Sequence, residues 1–161
     1  MEYYPIYVNL RNKPVLVLGQ YQILEFKITK LLEAGADIRL VSKSLSENIK
    51  IYVKSNKIEY YNDDFDEKYL EDVWLVICGS DDTDLKTRVK RATQKQNIFC
   101  NFVDDISICS FIAPAIIEKG DITIAISTSG TSPALCKYLK NKIMNTISDE
   151  YSKFTDILGK I

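Results

Sequence analysis

The sequence predicts an α/β protein: a Rossmann-like doubly wound parallel sheet followed by a small strand-plus-helix dimerisation segment. Three observations carry this. Residues 13–36, KPVLVLGQYQILEFKITKLLEAGA, set a four-residue apolar run against Gly19 and then a helical pattern. Two further apolar runs, residues 73–78 (VWLVIC) and 98–103 (IFCNFV), each end in a polar cluster, and a helical stretch lies between them. Unbroken apolar runs are strands covered on both faces. Strands alternating with helices at this spacing make parallel crossover units.

Taken in order, residues 3–10 alternate loosely and either lie over the sheet or form an edge strand. Pro14 cannot donate to a ladder, so it opens a strand rather than interrupting one. Val15 to Leu18 form that strand, and Gly19 turns the chain without a Cβ clash. Ile23, Leu24, Ile28, Leu31 and Leu32 recur at helical spacing, and the Gly35-Ala36 pair caps the helix C-terminus. Residues 37–41 are the next strand. Residues 45–54 suit a short helix capped by Ser44 or Ser46. Residues 58–61 read as a third strand, 62–64 as a turn, and 66–70 as a brief helical turn. The strand at 73–78 runs into Gly79-Ser80-Asp81-Asp82 and a helix over 83–96. The strand at 98–103 ends in Asp104-Asp105.

Beyond Asp105 the rhythm changes. Residues 111–117 are apolar and broken by Pro114, and Gly120 turns. Residues 122–127 (ITIAIS) alternate with period two, as a strand with one face on a core does. A hydroxyl-rich loop follows, then a helix over 134–145 with Ser132 as N-cap and Pro133 at its first position. The expected organisation is a dinucleotide-binding domain at 1–112, a dimerisation and substrate segment at 113–147, and the start of a truncated C-terminal helical region at 148–161. A lone hairpin cannot bury its own apolar face. The ITIAIS strand therefore invites a second copy, and a homodimer is expected.

Composition narrows the function classes. With 161 residues, 46% apolar and 27% charged, the chain fits about one domain with a small appendage. A net charge of −1 gives no electrostatic case for nucleic acid or a membrane surface. No apolar run approaches the roughly 20 residues that span a bilayer. The N-terminus lacks the pattern of a signal peptide, so a cytoplasmic protein is expected. The four cysteines form no C-x-x-C pair and read as small buried residues. There is no histidine, which excludes Ser-His-Asp and Cys-His catalysis and any His-ligated metal. No resident metal site is expected. Acid–base work falls to Asp, Glu, Lys, Tyr or Cys.

In a doubly wound sheet, ligands bind outside the carboxyl ends of the strands. Three polar clusters converge there: residues 19–22; residues 42–44 together with 79–82, Ser80 among them; and residues 101–105, beginning at Asn101. The turn after Gly19 places Tyr21 and Leu24 where a dinucleotide fingerprint has its second and third glycines. The amides that open the helix near Gln22 and Ile23 still attract anions. No acid ends the second strand; Lys43 stands there instead, which removes the usual ribose anchor and tolerates a 2′-phosphate. In Asp104-Asp105 the side chains point to opposite sides. One faces the cleft as a general base, and the alternative for either is a cap. Residues 127–133 form either an anion cradle or an ordinary capping loop. Lys137, Lys140 and Lys142 follow as partners for an acidic ligand or as a solvated face.

The segments YYPIYVNLRNKPVLVLG, LLEAGA, WLVICGSDD, IFCNFVDD, SFIAPAII and ITIAISTSGTSPAL together resemble the precorrin-2 dehydrogenase / sirohydrochlorin ferrochelatase family, the N-terminal module of siroheme synthases, over residues 3–145. The resemblance implies NAD-dependent oxidation of precorrin-2, an eight-carboxylate tetrapyrrole, to sirohydrochlorin, with Fe²⁺ insertion in bifunctional members. It places the essential aspartate on Asp104. It puts NAD contacts on Gln22, Ile23, Lys43 and Ser44, beside Gly19 and Ser80. It puts the substrate loop on Thr128, Ser129, Gly130 and Thr131, near Asn101, in a region that dimerises. The family's turn reads G-G-G-x-V-A; here it reads Gly19-Gln20-Tyr21-Gln22-Ile23-Leu24. Two other readings therefore stay open: a chelatase that has lost the redox step, and a non-catalytic tetrapyrrole-binding partner.

Overall fold

The computed structural model describes residues 3–19, 21–148 and 150–151, with the side chains of residues 21–23 outside the description. The chain divides into two compact units, Pro5–Phe111 and the segment Ile112–Ile161 with Met1–Tyr4. The helical pattern expected over 148–161 falls almost wholly outside the described residues.

In the larger unit, β1 (Pro14–Gly19), β2 (Asp37–Val41), β3 (Ile58–Tyr61), β4 (Leu75–Gly79) and β5 (Phe99–Phe102) form one sheet in the order β3-β2-β1-β4-β5. Every pair is parallel. Helices α1 (Tyr21–Glu33), α2 (Glu47–Lys54) and α3 (Thr83–Lys95) connect the strands. The predicted α/β architecture is thus the one observed. The order steps outward from β1 in both directions, so the switch point falls between β1 and β4.

β1 shows why its run reads as apolar throughout. Val15 and Val17 enter one core with Leu24 and Ile28 of α1 and Ile49 of α2. Leu16 and Leu18 enter the opposite core with Val89 and Ala92 of α3 and Tyr69 and Leu70. All four are essentially inaccessible, and each such side chain contributes roughly 1.5–3 kcal/mol by burial. Helix α1 stops where expected. Gly35, at φ +75, donates to Leu32 O, and Ala36 donates to Leu31 O; this is the paired closure of a left-handed C-cap. For α2 the cap is Ser46, whose Oγ accepts from Ile49 N. Ser42 and Ser44 bond each other instead.

Two details differ from the sequence pattern. Residues 3–13 add no edge strand, and Ile6, Tyr7 and Val8 stand exposed while Leu10 reaches the core. β4 begins at Leu75 rather than Val73, because Asp72 turns the chain in the left-handed region. Trp74 then faces outward beneath Lys13, whose Nζ lies 4.1 Å from the ring centroid.

In the smaller unit, β6 (Ala115–Lys119) and β7 (Ile122–Ile126) form an antiparallel hairpin, and α4 (Pro133–Thr146) follows. Ser132 caps α4 by accepting from Leu135 N, with Pro133 at the first position. Ile117 is the one fully buried hydrophobic residue described in this unit, while Leu135, Tyr138 and Met144 are exposed.

Candidate functional site

A cleft of about 650 Å³ opens at the carboxyl end of the large unit's sheet. Leu18 and Gly19 of β1, Val41 of β2 and Ser42, Lys43 and Ser44 after it form one side. Asp63, Asp64 and Phe65, which follow β3, form a second. Asp82, Leu85 and Arg88, at the start of α3, form the third. It lies at the switch point, where open α/β sheets bind ligands. Its volume suits a nucleotide-sized ligand. Leu18, Val41, Phe65 and Leu85 make the apolar part of its lining, the first three lying mostly within the core below. Helix α1 starts two residues after Gly19, so its first amides have no partner within the helix and favour an anion. These residues fit a dinucleotide.

Gly19 has a second duty. It sits at φ +112, and a Cβ there would lie 2.0 Å from Gly79 O on the paired strand. It is required for β1 and β4 to close, whatever binds above it. Leu24, at the third fingerprint position, is fully buried in the α1 core rather than facing the cleft. Gln22 and Ile23 lie in the first turn of α1, and their side chains are outside the described residues.

Of the other candidates in this unit, Ser80 is buried. Its Oγ accepts from Asp82 N at 3.1 Å and so braces the turn into α3. Asn101 is also buried: its Nδ2 donates to Phe111 O at 3.1 Å and approaches Cys109 Sγ. Neither lines the cleft. The two aspartates after β5 divide their duties. Asp105 Oδ1 accepts from Ser107 N and Ser107 Oγ and caps a short 3-10 turn. Asp104 makes no such bond among the described residues. It is more than a third exposed, with Lys86 Nζ of α3 at 3.9 Å.

Beneath this edge lie three shielded thiols. Burial pushes Cys78 up to about 12, with Lys86 drawing it down slightly and Asp104 pushing it up. Burial raises Cys100 and Cys109 as well. Lys27 of α1 is half-buried, and desolvation holds its amine below the ordinary lysine value, partly offset by Cys109. It has no hydrogen bond or ion pair among the described residues.

In the smaller unit, the loop before α4 is held by its own hydroxyls. Thr128 Oγ1 accepts from Ser132 N at 3.0 Å, donates to Ser132 O and faces Cys136 Sγ at 3.4 Å. Ser129 and Gly130 both have positive φ. Thr131 N donates to Thr128 O.

Asp63, Asp64 and Phe65 entered the sequence reading only as a turn or not at all. The signal was available, since β3 is parallel to its neighbours and its carboxyl end must reach the same edge.

A five-stranded parallel sheet with a nucleotide-sized cleft at its switch point defines a dinucleotide-binding domain of the Rossmann class. A family model described as "Putative NAD(P)-binding" matches residues 6–115, and the chain belongs to that family. Among its relatives, the siroheme synthase of Sodalis glossinidius is 37% identical over 159 residues, covering 99% of this chain and 34% of the relative. That of Zymomonas mobilis is 34% identical over 160 residues, again covering 99% and 34%. A solved structure titled "SirC, precorrin-2 dehydrogenase" superposes with a TM-score of 0.84 at 25% identity, covering 98% of this chain and 78% of that one. The chain thus spans about a third of the length of the siroheme synthases it matches. These relatives are the ones the sequence motifs resemble. No helix among the described residues is long and apolar enough to cross a membrane.

Proposed function

We propose that this chain is an NAD-dependent precorrin-2 dehydrogenase, oxidising precorrin-2 to sirohydrochlorin in the cytoplasm. The observation that carries the proposal is the division of labour at the end of β5. Asp105 is committed to a cap, while Asp104 stands open beside Lys86. NAD⁺ supplies the hydride acceptor when bound. The protein's part is to hold the nucleotide on the α1 amides and the apolar lining of Leu18, Val41, Phe65 and Leu85, and to take the proton lost in the same two-electron step on Asp104. Lys86 Nζ, 3.9 Å away, is the cation beside that carboxylate. In a bifunctional enzyme, the same carboxylate would receive pyrrole protons as Fe²⁺, a substrate here, enters the macrocycle. The exposed apolar residues of α4 and the half-buried isoleucines of β7 support a homodimer through the smaller unit.

The test follows precorrin-2 absorbance with and without NAD⁺ for the wild type, Asp104→Asn and Asp105→Asn. Oxidation is expected to need NAD⁺. Asp104→Asn should lose at least 100-fold in rate, in the range of general-base removal, with an unchanged circular dichroism spectrum. Asp105→Asn keeps an oxygen that can accept the same bonds from Ser107 and should retain both stability and turnover. An active Asp104→Asn would remove that residue from the chemistry.

A further inference from the structure

The rim of the cleft carries a charge arrangement that bears on which nucleotide enters. Lys43 follows β2, where dinucleotide sites place either an acid for the ribose hydroxyls or a cation for a 2′-phosphate. Read alone, Lys43 would favour the phosphate. In the folded protein its Nζ lies 3.1 Å from Asp64 Oδ2, contributed by the segment after β3. A second carboxylate is fixed next to it: Asp63 accepts from the Tyr69 hydroxyl at 2.7 Å and lies 3.6 Å from Lys68. Asp82 adds a third, holding the amides of Asp84 and Leu85. The other cation of the lining, Arg88, is turned to Phe65, donating to its carbonyl at 2.7 Å. The lining therefore holds three carboxylates against two cations, both already engaged.

We propose that Asp64 is the specificity-determining residue of this cleft, neutralising Lys43 and so selecting a dinucleotide with a free ribose 2′-hydroxyl over one bearing a 2′-phosphate. This rests on the reading of the cleft as a dinucleotide site. A 2′-phosphate brings about two negative charges at neutral pH. To reach Lys43 it must break the ion pair and approach Asp63 and Asp64. The pair is solvent-exposed and screened, with Asp64 the more open partner, so its effect is modest, about 1 kcal/mol, or somewhat under tenfold in affinity. That exposure also makes Asp64 replaceable without disturbing the fold.

The test is calorimetric titration of NAD⁺ and of NADP⁺ into the wild type, Asp64→Asn and the double variant Lys43→Met/Asp64→Asn. The wild type is expected to prefer NAD⁺ by about fivefold. Asp64→Asn should shift the NADP⁺/NAD⁺ affinity ratio toward NADP⁺ by roughly five- to tenfold, and the double variant should lose that gain. Equal binding of the two nucleotides by the wild type, or an unmoved ratio in Asp64→Asn, would overturn the role of Asp64 while leaving the cleft a dinucleotide site. Failure of the wild type to bind either nucleotide at millimolar concentration would overturn the reading of the cleft itself, and the inference with it.

Discussion

Replacing Gly19 with alanine separates the two duties this residue carries. A Cβ at position 19 would lie 2.0 Å from Gly79 O and 2.7 Å from Gly79 C. Both atoms are backbone of the adjacent strand, so no side chain can swing aside. The residue also sits at φ +112, where an alanine is strained by about 1–3 kcal/mol. Relieving the contact means moving β4 away from β1 at the Gly19–Gly79 register, which weakens ladder hydrogen bonds worth roughly 1 kcal/mol each. The total is roughly 3–6 kcal/mol, a large share of the 5–15 kcal/mol typical of a folded domain. In urea, at a slope of about 2 kcal/mol/M, the unfolding midpoint by far-ultraviolet circular dichroism should fall by roughly 1.5–3 M. Were Gly19 needed only for a phosphate to approach, the variant would keep its midpoint and lose only NAD⁺ affinity. A loss of stability under about 1 kcal/mol would refute the packing argument.

Two further outcomes follow from the core thiols and the smaller unit. The Cys78 thiol is raised from 9.0 to about 12 by burial. The unfolded chain therefore releases this proton first: stability is unaffected below about pH 9 and falls as pH rises toward 12. Urea midpoints at pH 8 and pH 10.5 should show a smaller alkaline loss in a Cys78→Ala/Cys100→Ala variant than in the wild type, and equal losses would refute the assignment. Sedimentation velocity should show a dimer that Tyr138→Glu weakens, because the apolar face of α4 is exposed in a single chain. A monomeric wild type would remove that interface.

The parts of the fold legible in the sequence are those fixed by neighbours in the chain. β1 reads as a buried strand because Val15 to Leu18 face two cores in turn. The end of α1 is legible because its cap needs only Gly35 and the two carbonyls before it. What needs a distant partner was not legible. Gly19 reads as the remnant of a fingerprint until Gly79, sixty residues on, arrives beside it. Asn101 reads as a polar strand end aimed at a cleft, yet the loop returning at Phe111 claims its amide. Asp64 reads as turn chemistry, and only the parallel pairing of β3 with β2 sets it against Lys43. Ser46 rather than Ser44 caps α2 because the helix begins at Glu47, which puts the Ser46 hydroxyl within reach of Ile49 N.

The same accounting of partners bears on the base proposed above. A carboxylate at this edge is best placed to serve as a base where the fold leaves both of its oxygens without a hydrogen bond. Asp82 holds the first amides of α3, and Asp105 holds Ser107. Asp63 is bound by the Tyr69 hydroxyl and Asp64 by Lys43. Among the described residues near the strand ends, Asp81 and Asp104 remain. Asp104 follows β5, whose neighbour Val103 donates to Cys78 O at the end of β4, and its charge pushes the buried Cys78 thiol up. Asp104 is also the one with a cation close at hand but not in hydrogen-bonding contact, with Lys86 Nζ 3.9 Å away. A proton leaving a substrate above β4 and β5 would find its acceptor there.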